Sequence, residues 1–180
     1  MSTHKWAALV ALILIVTIFP ANSLAEKPDR SGGLTIQAKT VTVNKPRLIA
    51  GKLLVPESWP EAVQKMIAAA NRISNKPYIY GGGHGRFNDR GYDCSGAVSY
   101  VLRAAKLLRR PLASGPLMSW GRPGVGAWFT VYSNPGHAFI VIAGRRFDTS
   151  GAGAEGPRWR SDRLKRRGFA ARTSNFPINP

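Results

Sequence analysis

The chain has 180 residues, with 26 Lys+Arg against 9 Asp+Glu, a net charge of +17 and one cysteine. That length suits one domain with a real hydrophobic core. A lone cysteine excludes an internal disulfide, and the charge favours anionic polymers as partners or serves only solubility and loose surface adhesion.

In chain order, Lys5 precedes an apolar run of fourteen residues, Trp6 to Phe19, which Pro20 stops. Ser23-Leu24-Ala25 then offers small residues at the positions a signal peptidase reads. Residues 1–25 are therefore expected to be a secretory signal peptide cut after Ala25. An uncleaved anchor is the alternative, but a bilayer span needs about 20 apolar residues. The expected location is secreted and extracytoplasmic, in the cell wall or periplasm. A leftover cysteine in such a protein points to a reactive thiol or intermolecular pairing; the plain alternative is a buried, inert thiol.

Residues 26–57 read as a loosely structured lead-in with short β-prone pieces at Leu34-Thr35-Ile36 and Val41-Thr42-Val43. Ser58-Trp59-Pro60-Glu61 reads as a capping box opening a helix. Val63, Met66, Ile67, Ala70 and Ile73 follow helical spacing as a core face, and Pro77 closes the segment. Pro77-Tyr78-Ile79-Tyr80 then runs into Gly81-Gly82-Gly83, a loop permitting close backbone approach. It lacks the Gly-Lys-Ser/Thr of a phosphate loop.

A second helix is expected from Cys94 to Leu108, with Ala97, Val98, Val101, Ala105 and Leu108 inward. Arg103, Lys106, Arg109 and Arg110 gather toward its C-terminal end, where cations suit the macrodipole. They form a solvated helix end or a polymer contact. Ala127 to Tyr132 is β-prone, Asn134-Pro135-Gly136 is a turn, and His137 to Ala143 is a buried strand. Ala143-Gly144 turns into a strand over Arg145 to Thr149, residues 151–156 form a loop, and Phe169 to Thr173 suggests a last strand. Helices first and antiparallel strands second make the class α+β.

A thiol becomes a strong nucleophile as thiolate, and a helix N-terminus lowers its pKa. Cys94 sits at such a position, between Asp93 and Ser95-Gly96. A base must stand near it. His4 leaves with the signal, and His84 lies in the glycine loop. His137 opens a strand, which holds it more rigidly, so it is the better base. With a two-residue turn at Ala143-Gly144, Ile142 faces Arg145 and Phe139 faces Asp148. His137 and Asp148 then share a face as diagonal neighbours, which makes Asp148 the candidate orienter. Otherwise it pairs with an arginine or begins the Thr149-Ser150 turn. One cysteine and two remaining histidines lack metal-ligand spacing, and no Gly-x-Ser-x-Gly elbow is present. No cofactor or metal is expected.

Tyr78-Ile79-Tyr80-Gly81-Gly82, then Tyr92-Asp93-Cys94-Ser95-Gly96, then His137 opening an apolar strand with a polar residue eleven positions on, resembles the NlpC/P60 cell-wall cysteine peptidases. The resemblance spans roughly Ala62 to Phe169. It implies a papain-like α+β fold with the cysteine helix packed on an antiparallel sheet, and a catalytic domain over 58–180. It implies cleavage of peptidoglycan stem peptides, typically between D-glutamate and the diamino acid. Cys94 matches the nucleophile, His137 the base and Asp148 the third polar residue, which is histidine, asparagine or glutamine in many members. Tyr78, Asp93 and Ser95 match positions lining the substrate cleft. Two features depart from the family: Gly124-Val125-Gly126-Ala127-Trp128 replaces the usual Pro-Gly-Asp-Leu, and Tyr80 stands for a frequent tryptophan. The expected partners are peptidoglycan and, through the basic surface, anionic wall polymers, with no nucleic acid. A related thiol amidase or acyltransferase and a non-catalytic basic wall-binding module are the alternatives.

Overall fold

The computed structural model describes residues 45–151, 156–160 and 166–175. The expected signal peptide and the β-prone pieces at 34–36 and 41–43 lie outside them. Among the described residues, no helix is long and apolar enough to cross a membrane.

The lead-in, expected to be loosely structured, contains a hairpin of β1 (Arg47–Ile49) and β2 (Lys52–Leu54). Ala50 and Gly51 form its turn at φ 47° and 74°, the left-handed pair that a two-residue hairpin favours. Leu53 is buried, and the Asn71 side chain grips its backbone: the Leu53 amide donates to Asn71 Oδ1 and Asn71 Nδ2 donates to the Leu53 carbonyl, both at 2.8 Å.

Helix α1 spans Glu61–Ile73 and buries Val63, Met66, Ile67, Ala69, Ala70 and Ile73. The expected capping box does not form. Pro60 is the N-cap, with φ −53° and ψ 135°, and no side chain caps the helix. A proline disfavours helical geometry in the residue before it, so the helix starts beyond Pro60. Gln64 instead donates to the carbonyls of Glu57 and Trp59, at 2.7 Å each.

Helix α2 spans Cys94–Ala104, shorter than the expected run to Leu108. Lys106 turns left-handed at φ 60°, and the Leu107 amide donates to the Leu102 carbonyl at 3.0 Å. This closure satisfies carbonyls at the helix end. Helix α1 packs on α2, and α2 packs on the sheet. A short helix α3, Ser114–Leu117, follows.

The main sheet has six strands: β3 (Arg122–Pro123), β4 (Phe129–Asn134), β5 (His137–Ile142), β6 (Arg145–Asp148), β7 (Arg158–Arg160) and β8 (Ala170–Thr173). Their order is β3-β8-β4-β5-β6-β7, and every adjacent pair is antiparallel. The expected register holds, with Ile142 opposite Arg145 and Ile140 opposite Phe147 across the Ala143-Gly144 turn. Strand β7 was not expected, because Arg-Trp-Arg offers a single apolar residue. Trp159 is buried, and its Nε1 donates to Asn71 Oδ1 at 2.8 Å. Asn71 thus joins β2, α1 and β7.

Alternation sorts β5 between two environments. Ala138, Ile140 and Ile142 enter the core with Ala97, Val98, Val101 and Leu102 of α2. Phe139 and Val141 join Tyr132, Phe169 and Ala171 in a second apolar cluster. Covered on both faces, β5 reads as a nearly continuous apolar run. The fold is α+β, with the cysteine helix against an antiparallel sheet.

Candidate active site

The glycine loop fixes the start of α2. Asp93 is the N-cap; its Oδ1 accepts the Gly96 amide at 2.7 Å, a kind of contact worth about 1 kcal/mol. The Asp93 amide donates to the Gly82 carbonyl at 3.2 Å, and the Gly81 amide donates to Asp93 Oδ2 at 3.2 Å. Loop and helix approach so closely that a Cβ on Gly96 would lie 2.0 Å from the Gly82 carbonyl oxygen. The glycine in Asp-Cys-Ser-Gly is therefore a packing requirement.

Cys94 is the first residue of α2 and is half-buried. Burial disfavours its thiolate. Hydrogen bonding to the His137 side chain and to the Ala138 amide, with the imidazolium charge, outweighs burial and the nearby Asp93, so the thiol titrates below its ordinary value.

His137 heads β5. The turn before it is closed by Asn134 Oδ1, which accepts the Gly136 amide at 3.0 Å and the His137 amide at 2.8 Å. The ring lies among aromatics, with centroids 6.2 Å from Phe139 and 6.3 Å from Phe169. Its Nε2 donates to Asp148 Oδ1 at 2.9 Å, which leaves Nδ1 to share a proton with the sulfur. Burial alone would lower the imidazole pKa, but Asp148 and Cys94 together raise it to about 9.

Asp148, at the end of β6, is fully buried and carries several donors. Besides His137, Oδ1 accepts the Ser150 amide at 2.9 Å. Oδ2 accepts the Ser150 hydroxyl at 2.9 Å and the Arg146 Nε at 2.7 Å, and Arg146 Nη2 reaches the same oxygen. Burial pushes the carboxyl up; His137, the Ser150 amide and Arg146 bring it below the usual carboxylate range. Arg146 also lies over the Phe139 ring, 4.7 Å from its centroid. The sequence offered an orienter of histidine, an arginine partner or a turn residue as alternatives for Asp148; in the structure it makes all three contacts. Arg146 and Ser150 were missed, although i, i+2 spacing on a strand places Arg146 on the face of Asp148.

The three cleft positions divide. Tyr78 is 38% exposed, and burial together with the charges on Cys94 and Asp93 raises its pKa. Asp93 and Ser95 are buried and turn toward each other, Ser95 Oγ donating to Asp93 Oδ1 at 3.3 Å. His84, set aside as a base, meets this pair: its Nε2 lies 3.0 Å from Asp93 Oδ1 and 3.1 Å from Ser95 Oγ.

No family model matches the chain. It is 32% identical over 96 residues to the probable peptidoglycan endopeptidase LytE of Bacillus subtilis, a match covering 50% of this chain and 28% of that protein. The chain therefore spans less than a third of that relative's length. Among solved structures it is similar to the peptidoglycan hydrolase RipB of Mycobacterium tuberculosis, at 25% identity and a TM-score of 0.48 over 62% of this chain and 64% of that one. It is also similar to the P60 domain of a Mycobacterium avium subspecies paratuberculosis antigen, at 22% identity and a TM-score of 0.48 over 62% of this chain and 94% of that one. The chain resembles the NlpC/P60 peptidoglycan hydrolases.

Proposed function

We propose that the protein is a secreted cysteine peptidase that hydrolyses peptide bonds in peptidoglycan stem peptides, between D-glutamate and the diamino acid. The observation that carries this reading is His137, held at 2.9 Å by the buried carboxylate of Asp148, together with a Cys94 thiol at the start of α2 whose pKa His137 helps to lower. The curated relative is a probable peptidoglycan endopeptidase, which supports the substrate class.

The Cys94 thiolate attacks the scissile carbonyl carbon. The Cys94 amide at the helix start contributes to holding the oxyanion. As the C–N bond breaks, the His137 imidazolium gives its proton to the leaving amine, and a thioester remains on Cys94. Water then adds to the thioester, His137 takes its proton, and the thiolate departs. Asp148 keeps the ring oriented and supports its positive charge through both steps. Tyr78 borders the thiol on the substrate side, while Asp93 and Ser95 shape the wall of the cleft with His84.

The test is incubation of the protein with purified peptidoglycan and mass analysis of released muropeptides, beside a Cys94→Ala control. Cysteine-dependent fragments ending at D-glutamate are the expected result. Wall binding without turnover in either protein would replace this reading with a non-catalytic wall-binding module. Turnover of a different amide or ester would replace it with a thiol amidase or acyltransferase.

A further inference from the structure

A groove lies between the C-terminal halves of α1 and α2 and the loop over 86–90. It consists of two adjoining cavities of about 510 and 520 Å³ that share Arg72, Arg86, Asn88 and Tyr100 as walls. Lys76 and Arg90 border the first, and Arg103 borders the second. Tyr100 and Arg103 lie six and nine residues after Cys94, roughly 9 and 14 Å along the helix axis. The side chains found around the thiol, Tyr78, Asp93 and His137, are not among the groove's walls.

Five cations and one carboxylate, Asp89, thus line the two cavities, and the oxygens of Asp89 are engaged by the loop. Oδ2 accepts the Gly83 amide at 3.0 Å, and Oδ1 accepts the Arg90 amide at 2.8 Å. Arg86 Nη2 stands 3.8 Å from Oδ1. Among the described residues, Arg72, Arg90 and Arg103 have no carboxylate partner; neutral contacts orient two of them. Arg72 Nη1 donates to the Tyr100 hydroxyl at 3.4 Å. Arg103 lies over the Phe87 ring, 5.4 Å from its centroid, and donates to the Leu108 carbonyl at 3.4 Å. Lys76 Nζ donates to the Asp89 carbonyl at 3.0 Å.

We propose that this groove binds a linear polymer of phosphodiester-linked polyols. Guanidinium forks match phosphate oxygens bidentately, and four of the five cations are arginines. Two cavities in series suit successive phosphates of a chain. The groove lacks a stacking platform for bases: Tyr92 and Tyr100 are buried, and Arg103 covers Phe87. Single-stranded nucleic acid relies on such stacking. Docking here leaves Cys94 open, so the inference holds whether or not the catalytic reading does.

The test is a titration of the full chain against fluorescently labelled poly(glycerol phosphate), followed by anisotropy at about 0.1 M salt. Arg72→Gln with Arg103→Gln weakens binding at least about tenfold, while Arg109→Gln with Arg110→Gln, an equal charge loss outside the groove, changes it less than about twofold. Arg86→Gln, on an exposed loop, weakens it several-fold and serves if the double variant does not fold. Absence of saturable binding overturns the proposal, as does an equal loss in the control pair. Oligo-thymidylate or poly-glutamate bound as tightly, with the same losses, overturns the polyol phosphate assignment.

Discussion

Two histidines sit beside two carboxylates at nearly equal distances, His137 at 2.9 Å from Asp148 and His84 at 3.0 Å from Asp93. Their surroundings make them different groups. Asp148 is fully buried on a strand with Arg146 and Ser150 behind it, and the ring it holds faces a thiol. Asp93 caps a helix and ties down a glycine loop, and the ring beside it faces the Ser95 hydroxyl. A histidine–carboxylate contact alone does not mark a base. The nucleophile on the far side of the ring, and the counter-charge behind the carboxylate, distinguish the two pairs.

The most severe way to test that contrast is to remove each histidine. Cys94→Ala or His137→Ala lowers kcat/KM for wall cleavage by on the order of 10⁴-fold or more. His84→Ala, which leaves the thiol and its base in place, lowers it by no more than about tenfold. Equal losses would erase the distinction. Asp148→Asn comes next, with a loss of roughly ten- to a hundredfold, because the amide oxygen still accepts from the ring but the counter-charge to the imidazolium is gone. Circular dichroism checks that each variant keeps its fold.

Arg146 gives a smaller effect with a diagnostic sign. In the proposed mechanism the reactive pair is thiolate with imidazolium, so the basic limb of the kcat/KM profile is expected to follow loss of the His137 proton, near pH 9 in the parent. Arg146→Gln removes a cation next to the Asp148–His137 pair. The imidazolium is then less opposed, so the basic limb moves to higher pH, with about a tenfold loss of rate from a less firmly held carboxylate. A limb moving to lower pH would contradict the role assigned to Arg146.

The smallest effect is on stability. His137 is raised from 6.5 to about 9 on folding, so its contribution is fully present below pH 6.5 and is lost as pH rises toward 9. Asp148 is lowered from 3.8, so its contribution is present above that value and fades as pH falls below it. Denaturant titration of parent and His137→Gln should therefore show a larger difference at pH 6 than at pH 9. His84→Gln serves as the comparison.

Much of the site was legible because its signals are local. The strand period and the Ala143-Gly144 turn place His137 and Asp148 on one face, and the register agrees. Asp-Cys-Ser-Gly marked a helix start, and Cys94 begins α2. The arrangement that escaped the sequence depends on contacts distant along the chain. Asn71 gathers Leu53 and Trp159, and β2 and β7, three residues each, are too short to announce themselves. The capping box at Ser58 failed because Pro60 restricts the residue before it, and α2 ended early because Lys106 adopts a left-handed turn that no glycine signalled.

The most direct measurement is the rate of Cys94 alkylation by iodoacetamide across pH, in the parent, His137→Ala and His84→Ala. The account predicts a thiol in the parent that reacts with an apparent pKa below its ordinary 9.0, shifted upward in His137→Ala and unmoved in His84→Ala. A parent thiol titrating at the ordinary value, or one that responds equally to loss of either histidine, would contradict it.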